Sequence, residues 1–429
     1  MTTENNINSK DWTIVCHKDY GDENSVSIVE QRNGEITVTH LGQSDPIGGD
    51  INSCPAFLGV NARGEAIIMD PATKAISNTH SVPADARFVY AYRDPESTRV
   101  WFVNDGDKDG NDTLLCDGQG SSIGIVAKKD DQALHMETLC IGRGHHMTAF
   151  TYPTLEAADI PVRAFSSNLL DGTISVIGND PNDAVSFLKV IDTINLFDTR
   201  FDQGDAASLP NNAFPHGMEF SALTGKLYNL NNGYGSIAVI DPTTNQVEST
   251  IEMKVSSNLL LSRCGRYLIG KGADRKGNAE HVMGRLSVVD IVKEELVTCI
   301  DLPDIYPSVY RFNPAGDRLY VTTAATGKGV QAENLITDVV QVYDTSALPA
   351  LKLVEEIQLE TTTSGRRPIA ILENHNGEAP VIFVPNPTHG SLSIIDGATN
   401  AVIETVEIGK GEMKEFSFSF WNDRTIYGA

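Results

Sequence analysis

No apolar run in this chain of 429 residues approaches the ~18 that a membrane-crossing helix needs. A membrane is therefore not expected as a partner. The first twelve residues, MTTENNINSKDW, are polar and lack the apolar stretch of a secretory signal. That points to the cytoplasm, or to the periplasm if a signal has been removed. Basic side chains are scarce too: 33 Lys and Arg stand against 57 Asp and Glu, a formal charge of −24, with no basic block to offset it. Nucleic acid is thereby excluded as an expected partner, because phosphate binding depends on clustered cations.

Signatures of several chemistries are missing as well. The six cysteines, Cys16, Cys54, Cys116, Cys140, Cys264 and Cys299, form no CxxC pair, so reduced, mostly buried thiols are expected. No CxxCH haem attachment, P-loop, dinucleotide fingerprint or HExxH occurs. GSSIG, residues 120–124, matches G-x-S-x-G around Ser122. It leads into a strand rather than a strand-to-helix elbow, so Ser122 is not read as a nucleophile.

Helical periodicity is nearly absent. The chain is filled instead by short β-branched or alternating runs bounded by Gly, Asn, Asp and Pro, the pattern of an all-β protein. PHGMEFSALTGKLYNLNNGYGSIAVIDPTTNQVESTIEM, residues 215–253, reads as four strands joined by turns, which is one propeller blade. The same grammar returns in the three blocks that follow, and upstream in the blocks that begin at His145 and near Ala86. The tail EFSFSFWNDRTIYGA supplies strands without the rest of a blade, while the segment from Trp12 begins as though its first strand were missing. A ring closed by pairing the two termini accounts for both and removes exposed sheet edges. The expectation is a single β-propeller domain over residues 11–429, with a disordered tail at 1–10. It has seven blades of four antiparallel strands, or eight if CPAFLGVNARGEAIIMDPATKAISNTH is a blade by itself.

The runs LYVTTAATG and GSIAVIDPTTNQVESTI resemble the YVTN-type propeller repeats, over about residues 145–410. That superfamily is similar to lactonases of the phosphogluconolactonase type and to the propeller domains of nitrous oxide reductase and cytochrome cd1 nitrite reductase. The resemblance specifies a fold better than a function. In a propeller the innermost strand of each blade lines a central channel. Ligands collect where the loops leading into that strand, and those joining strands two and three, open on one face.

With Phe150 and Phe220 as references, His146 and His216 fall at equivalent points at the start of two inner strands. The same offset reaches Ser257, Ser308 and Arg367, and then Glu412 or Lys414. His281 and His389 precede third strands, and His17 ends the run WTIVCHKDY. Imidazole suits copper, zinc, iron and nickel, and several from separate blades could close a site. The resemblance implies copper, because histidines on this face build the copper cluster of nitrous oxide reductase. The chain lacks that enzyme's cupredoxin domain.

A soluble metalloenzyme follows as the first reading. Copper, or alternatively zinc or iron, would sit on His145, His146 and His216 with help from His389 or His281, and a small molecule or small anion would enter beside Arg367. As a redox centre this would be an oxidoreductase, as a Lewis acid a hydrolase. The second reading is a lactonase-like hydrolase with His146 or His216 as general base and Arg367 steadying the oxyanion. The third is a non-catalytic propeller that binds a protein or ligand, its histidines hydrogen-bonded to nearby backbone. For Arg367 itself a structural cation stands beside the anion clamp. DGDKDGND, residues 105–112, spaces Asp105, Asp107 and Asp109 as the start of a calcium loop does, but lacks flanking helices. Calcium or a solvated acidic turn are the two readings.

Overall fold

A computed structural model describes residues 11–19, 26–41, 48–49, 56–60, 65–70, 75–81, 89–95, 99–128, 134–155, 157–206, 209–274, 281–325, 334–373, 379–409, 415–421 and 426–427. The expected tail at 1–10 lies outside them, as do Glu412, Lys414 and the side chain of His17. Every named element among the described residues is a strand.

The strands form eight antiparallel sheets, seven of four strands and one of five. The first combines Trp12–Asp19, Val26–Arg32 and Glu35–Leu41 with the C-terminal Glu415–Trp421. The second holds Gly48–Gly49, Ala56–Val60, Glu65–Asp70 and Ala75–Ser81, and the third Val89–Arg93, Arg99–Asn104, Ser122–Lys128 and Leu134–Cys140. His145–Thr151, Arg163–Asn168, Thr173–Gly178 and Val190–Asn195 make the fourth; Pro215–Ser221, Lys226–Asn231, Ser236–Asp241 and Gln246–Glu252 the fifth. Asn258–Leu261, Tyr267–Asp274, Met283–Asp290 and Glu295–Pro303 make the sixth; Pro307–Phe312, Arg318–Thr323, Val339–Asp344 and Lys352–Gln358 the seventh. The eighth has Ala370–Leu372, Val381–Asn386, Ser391–Asp396 and Val402–Glu407, with Ile426–Tyr427 added at its inner edge. The segment 48–81 is thus a sheet by itself, the circumstance under which eight is expected.

The termini meet as anticipated. Thr13 pairs with Trp421 and, in continuous antiparallel register, Asp19 with Glu415. Successive sheets share apolar cores: Phe165 and Ile174 of the fourth pack with Met218 and Leu227 of the fifth, and Tyr228 and Leu230 of the fifth with Leu259 and Leu268 of the sixth. Trp12 and Ile14 of the first lie with Phe383 and Leu392 of the eighth. Burial gives the radial order. Second and third strands such as Thr173–Gly178 are wholly buried, while fourth strands such as Lys352–Gln358 are almost wholly exposed. The first strand of each repeat is therefore the inner one. Its apolar side chains enter the cores between sheets, and its remaining side chains meet those of other inner strands at the centre.

Candidate functional site

Three inner strands begin with the same irregularity. Register shifts between His145 and Thr148, between Pro215 and Met218, and between Pro307 and Tyr310 insert one extra residue against the partner strand. Such a bulge re-aims the side chains within it. His146, His216 and Ser308 fall at equivalent places in the three bulges. Gly217 is required beside His216, since a Cβ there would meet Leu259 N of the sixth sheet at 2.6 Å. The bulge brings the imidazoles of His146 and His216 face to face, with ring centroids 3.5 Å apart and planes tilted by 38°.

Burial, then the nearby charges of His146 and Lys271, hold His216 well below the usual imidazole range, so its ring is neutral. Its Nδ1 has no hydrogen-bond partner among the described residues. Lys271 stands close by, its ammonium donating to Pro307 O at 3.4 Å and lying 5.9 Å from the Tyr310 ring centre.

His145 takes another direction. It is completely buried, with Nε2 3.0 Å from Thr148 Oγ1 and its ring edge-on to Tyr92. Thr148 Oγ1 continues to Ser166 Oγ at 2.8 Å. Desolvation, then His146, keeps it neutral also. The doublet therefore divides: His146 belongs to the central pair, His145 to the wall behind it.

The remaining expected ligands do not join them. His281 is exposed and pairs through Nδ1 with Asp304 at 2.7 Å. His389 is an exposed turn residue whose backbone N–H donates to Asn386 O. Among the described residues, no group of three or more His, Cys, Asp or Glu is placed to hold a metal ion. The five-histidine set is thus not assembled there.

Arg367 requires a correction. It is 0% exposed, and its guanidinium donates to the carbonyls of Thr337 at 2.9 Å and Glu360 at 2.6 Å, while its own N–H donates to Ser308 Oγ. Desolvation lowers it to about 10. It ties the eighth sheet to the loops of the seventh and does not present a clamp to a substrate.

The acidic loop is also occupied internally. Asp107 accepts the backbone N–H groups of Asp109 and Asn111, Asp105 is buried and Asp109 exposed, and among the described residues the three carboxylates form no group placed to hold a metal ion. Asp112, which the motif reading passed over, organises the loop: it accepts the amides of Leu114 and Leu115, the Asn104 amide and the Ser122 hydroxyl. Ser122 is accordingly structural. A disulfide between Cys116 and Cys140 closes this loop onto the outer strand, contrary to the expectation of reduced thiols, and Cys264 and Cys299 are exposed rather than buried. Cys54 lies outside the described residues.

Sequence reasoning missed the level below the imidazoles. By register, Tyr92, Ala149, Glu219 and Arg311 are equivalent residues of the third, fourth, fifth and seventh sheets. Glu219 accepts the Leu261 amide and feels the charge of Arg311. Tyr92 feels Arg366, Arg311 and Glu219 together. The available signal was a charge directly before the reference Phe, in MEFS and YRFN, where an inner strand would otherwise be apolar.

No protein-family model matches the chain, and no curated protein is similar to it in sequence. Solved structures are similar. A protein from Lactobacillus plantarum is 13% identical with a TM-score of 0.53, over 95% of this chain and 99% of that one. The fold is a β-propeller. The periplasmic gluconolactonase of Pseudomonas aeruginosa is 11% identical with a TM-score of 0.53, over 95% of this propeller and 99% of that chain. A dihydro-heme d1 dehydrogenase is 13% identical with a TM-score of 0.53; 86% of this propeller matches 65% of that chain. At these identities the likeness is one of fold.

Proposed function

We propose that the centre of the propeller is the active site of a small-molecule hydrolase acting on a cyclic ester. The observation that carries this reading is the close pair His146 and His216, with a neutral His216 ring whose Nδ1 is unsatisfied among the described residues. A neutral imidazole is a general base. His216 takes a proton from water as the water oxygen bonds to the ring carbonyl carbon. The ring C–O bond then breaks, the ring oxygen leaves as a hydroxyl with that proton, and a hydroxy acid results. Lys271, on the second strand of the neighbouring sixth sheet, supplies positive charge for the oxyanion. The similar fold of a protein described as a gluconolactonase agrees with this chemistry without establishing it.

A copper, zinc or iron centre has less support, because it would rest on two imidazoles with no third ligand among the described residues. The test is the release of acid from glucono-1,5-lactone by the purified protein, corrected for spontaneous hydrolysis, beside elemental analysis of untagged protein. Saturable turnover without stoichiometric metal is expected. No turnover of any sugar lactone would sink the hydrolase reading, and one bound metal per chain would restore the metal-centred one.

A further inference from the structure

The segment that leads into the bulge of His146 is held from two sides. Residues 141–144 join the outer strand of the third sheet, Leu134–Cys140, to the inner strand of the fourth, His145–Thr151. On one side the fourth sheet grips them: Arg143 O and Gly144 O accept the amides of Leu170 and Leu169, and Asp171 accepts the Arg143 amide and guanidinium. On the other side stands the loop of residues 105–121. The Ser121 hydroxyl donates to Gly110 O at 3.1 Å and accepts the amides of Gly144 at 2.9 Å and His145 at 3.2 Å. Ser121 O accepts the Ile141 amide, and the Ser121 amide donates to Gly142 O. The fit is close, since a Cβ at Gly110 would meet Gly144 N at 2.7 Å.

The turn just before Ser121 is weakly rooted. Of residues 113–119, Cys116 alone is buried, and Leu114 and Leu115 are exposed. Asp112 anchors the start of the turn by accepting the amides of Leu114 and Leu115. A turn with so few buried apolar contacts opens at low cost. What ties it to the outer strand of its sheet is the disulfide from Cys116 to Cys140, the residue that faces Ser122 in register and directly precedes Ile141. Cys140 is exposed, so a thiolate from solution can reach its sulfur.

We propose that Cys116–Cys140 is a redox latch that holds His146 against His216 while closed and frees the bulge when a dithiol opens it. One thiolate of the dithiol attacks Sγ of Cys140; the S–S bond breaks, and Cys116 Sγ leaves with the electron pair and takes a proton. The second thiolate attacks the mixed disulfide and releases Cys140, which takes the other proton, so two protein thiols form and the dithiol becomes a disulfide. The turn then loosens, the Ser121 hydroxyl withdraws from Gly144 and His145, and the bulge relaxes while Leu169, Leu170 and Asp171 keep the segment on the fourth sheet. The imidazoles part. As control of the histidine pair the latch stands apart from any reaction; as regulation of turnover it rests on the hydrolase reading.

NMR of protein labelled with [13C]histidine, the ring resonances assigned from single His→Gln variants, tests this with and without dithiothreitol and after reoxidation by diamide. Mass spectrometry of alkylated samples gives the extent of opening. Rings as close as those of His146 and His216 shift each other's resonances. Reduction is therefore expected to move both and reoxidation to restore them, while the exposed His281 and His389 stay in place. Cys140→Ser should show the reduced spectrum throughout and ignore dithiothreitol. Ser121→Ala, with the disulfide intact, should move the same two rings. The kcat for lactone should fall at least about tenfold on reduction, as a misplaced reacting group implies, and recover on reoxidation. His146 and His216 rings unmoved by full reduction, all ten histidines moving together as in unfolding, or equal turnover with the bond open would each overturn the proposal. Lactone left intact in both states while the two rings still move would remove the hydrolase reading and leave the latch standing.

Discussion

The rings of His146 and His216 lie 3.5 Å apart although the residues belong to different sheets. Two matching bulges, opposite Ser167 and Leu230, create this contact. Regular alternation would have sent at least one imidazole into the wall.

If the pair works as a unit, its losses are not additive. His216→Ala is expected to lower kcat for lactone hydrolysis by about 10²- to 10⁴-fold, with His146→Ala less severe. The double variant should be little worse than His216→Ala. Initial rates with KM resolved for all three proteins check this.

The low basicity of His216 sets the pH response. An ordinary histidine base loses half its activity near 6.5 as pH falls; the depressed value here moves that loss further to the acid side. The kcat profile is expected to stay flat down through pH 6.5 and to bend below it. A midpoint at or above 6.5 would assign the base to another group.

His145 makes the fold acid-sensitive. Its folded-state value lies well below the unfolded 6.5, so the unfolded chain binds the proton first. This contribution is full above 6.5 and declines as pH falls, at up to about 1.4 kcal/mol per pH unit. Thermal melts at pH 7.5 and pH 5 should show the decline in the wild type and a smaller one in His145→Gln.

Arg367→Met removes two bonds from a fully buried guanidinium to backbone carbonyls and leaves Thr337 O and Glu360 O short of that donor. A loss of about 2–4 kcal/mol in urea unfolding is expected. KM for lactone in the folded fraction should not change, because the guanidinium faces the protein interior.

Reduction of Cys116–Cys140, which closes a loop with a sequence separation of 24, should cost about 3 kcal/mol on the chain-entropy account. The loop also carries Ser121, whose hydroxyl accepts the amides of Gly144 and His145. Melts with and without dithiothreitol measure the loss, and mass spectrometry of the alkylated, unreduced protein locates the bond.

The all-β class, the four-strand repeat, the pairing of the two ends and the equivalence of His146 with His216 were legible in the chain. Each rests on local alternation and turn residues repeated at a regular interval. The fates of Arg367, His281, His389 and the acidic loop were not, although their positions along the strands were anticipated. A side chain at the start of an inner strand can turn toward the centre or toward a neighbouring carbonyl, and only the loop folded against it decides which. The Cys116–Cys140 bond and the level of Tyr92, Glu219 and Arg311 join partners from distant strands, and no spacing rule links them. The sequence by itself determined the all-β class and the four-strand repeat, because those follow from the alternation of adjacent residues; whether 48–81 forms a sheet of its own was decided by the tertiary structure. The tertiary structure alone decided which polar groups meet at the centre and which are held in the wall, because that depends on bulges and on hydrogen-bond partners brought from other sheets.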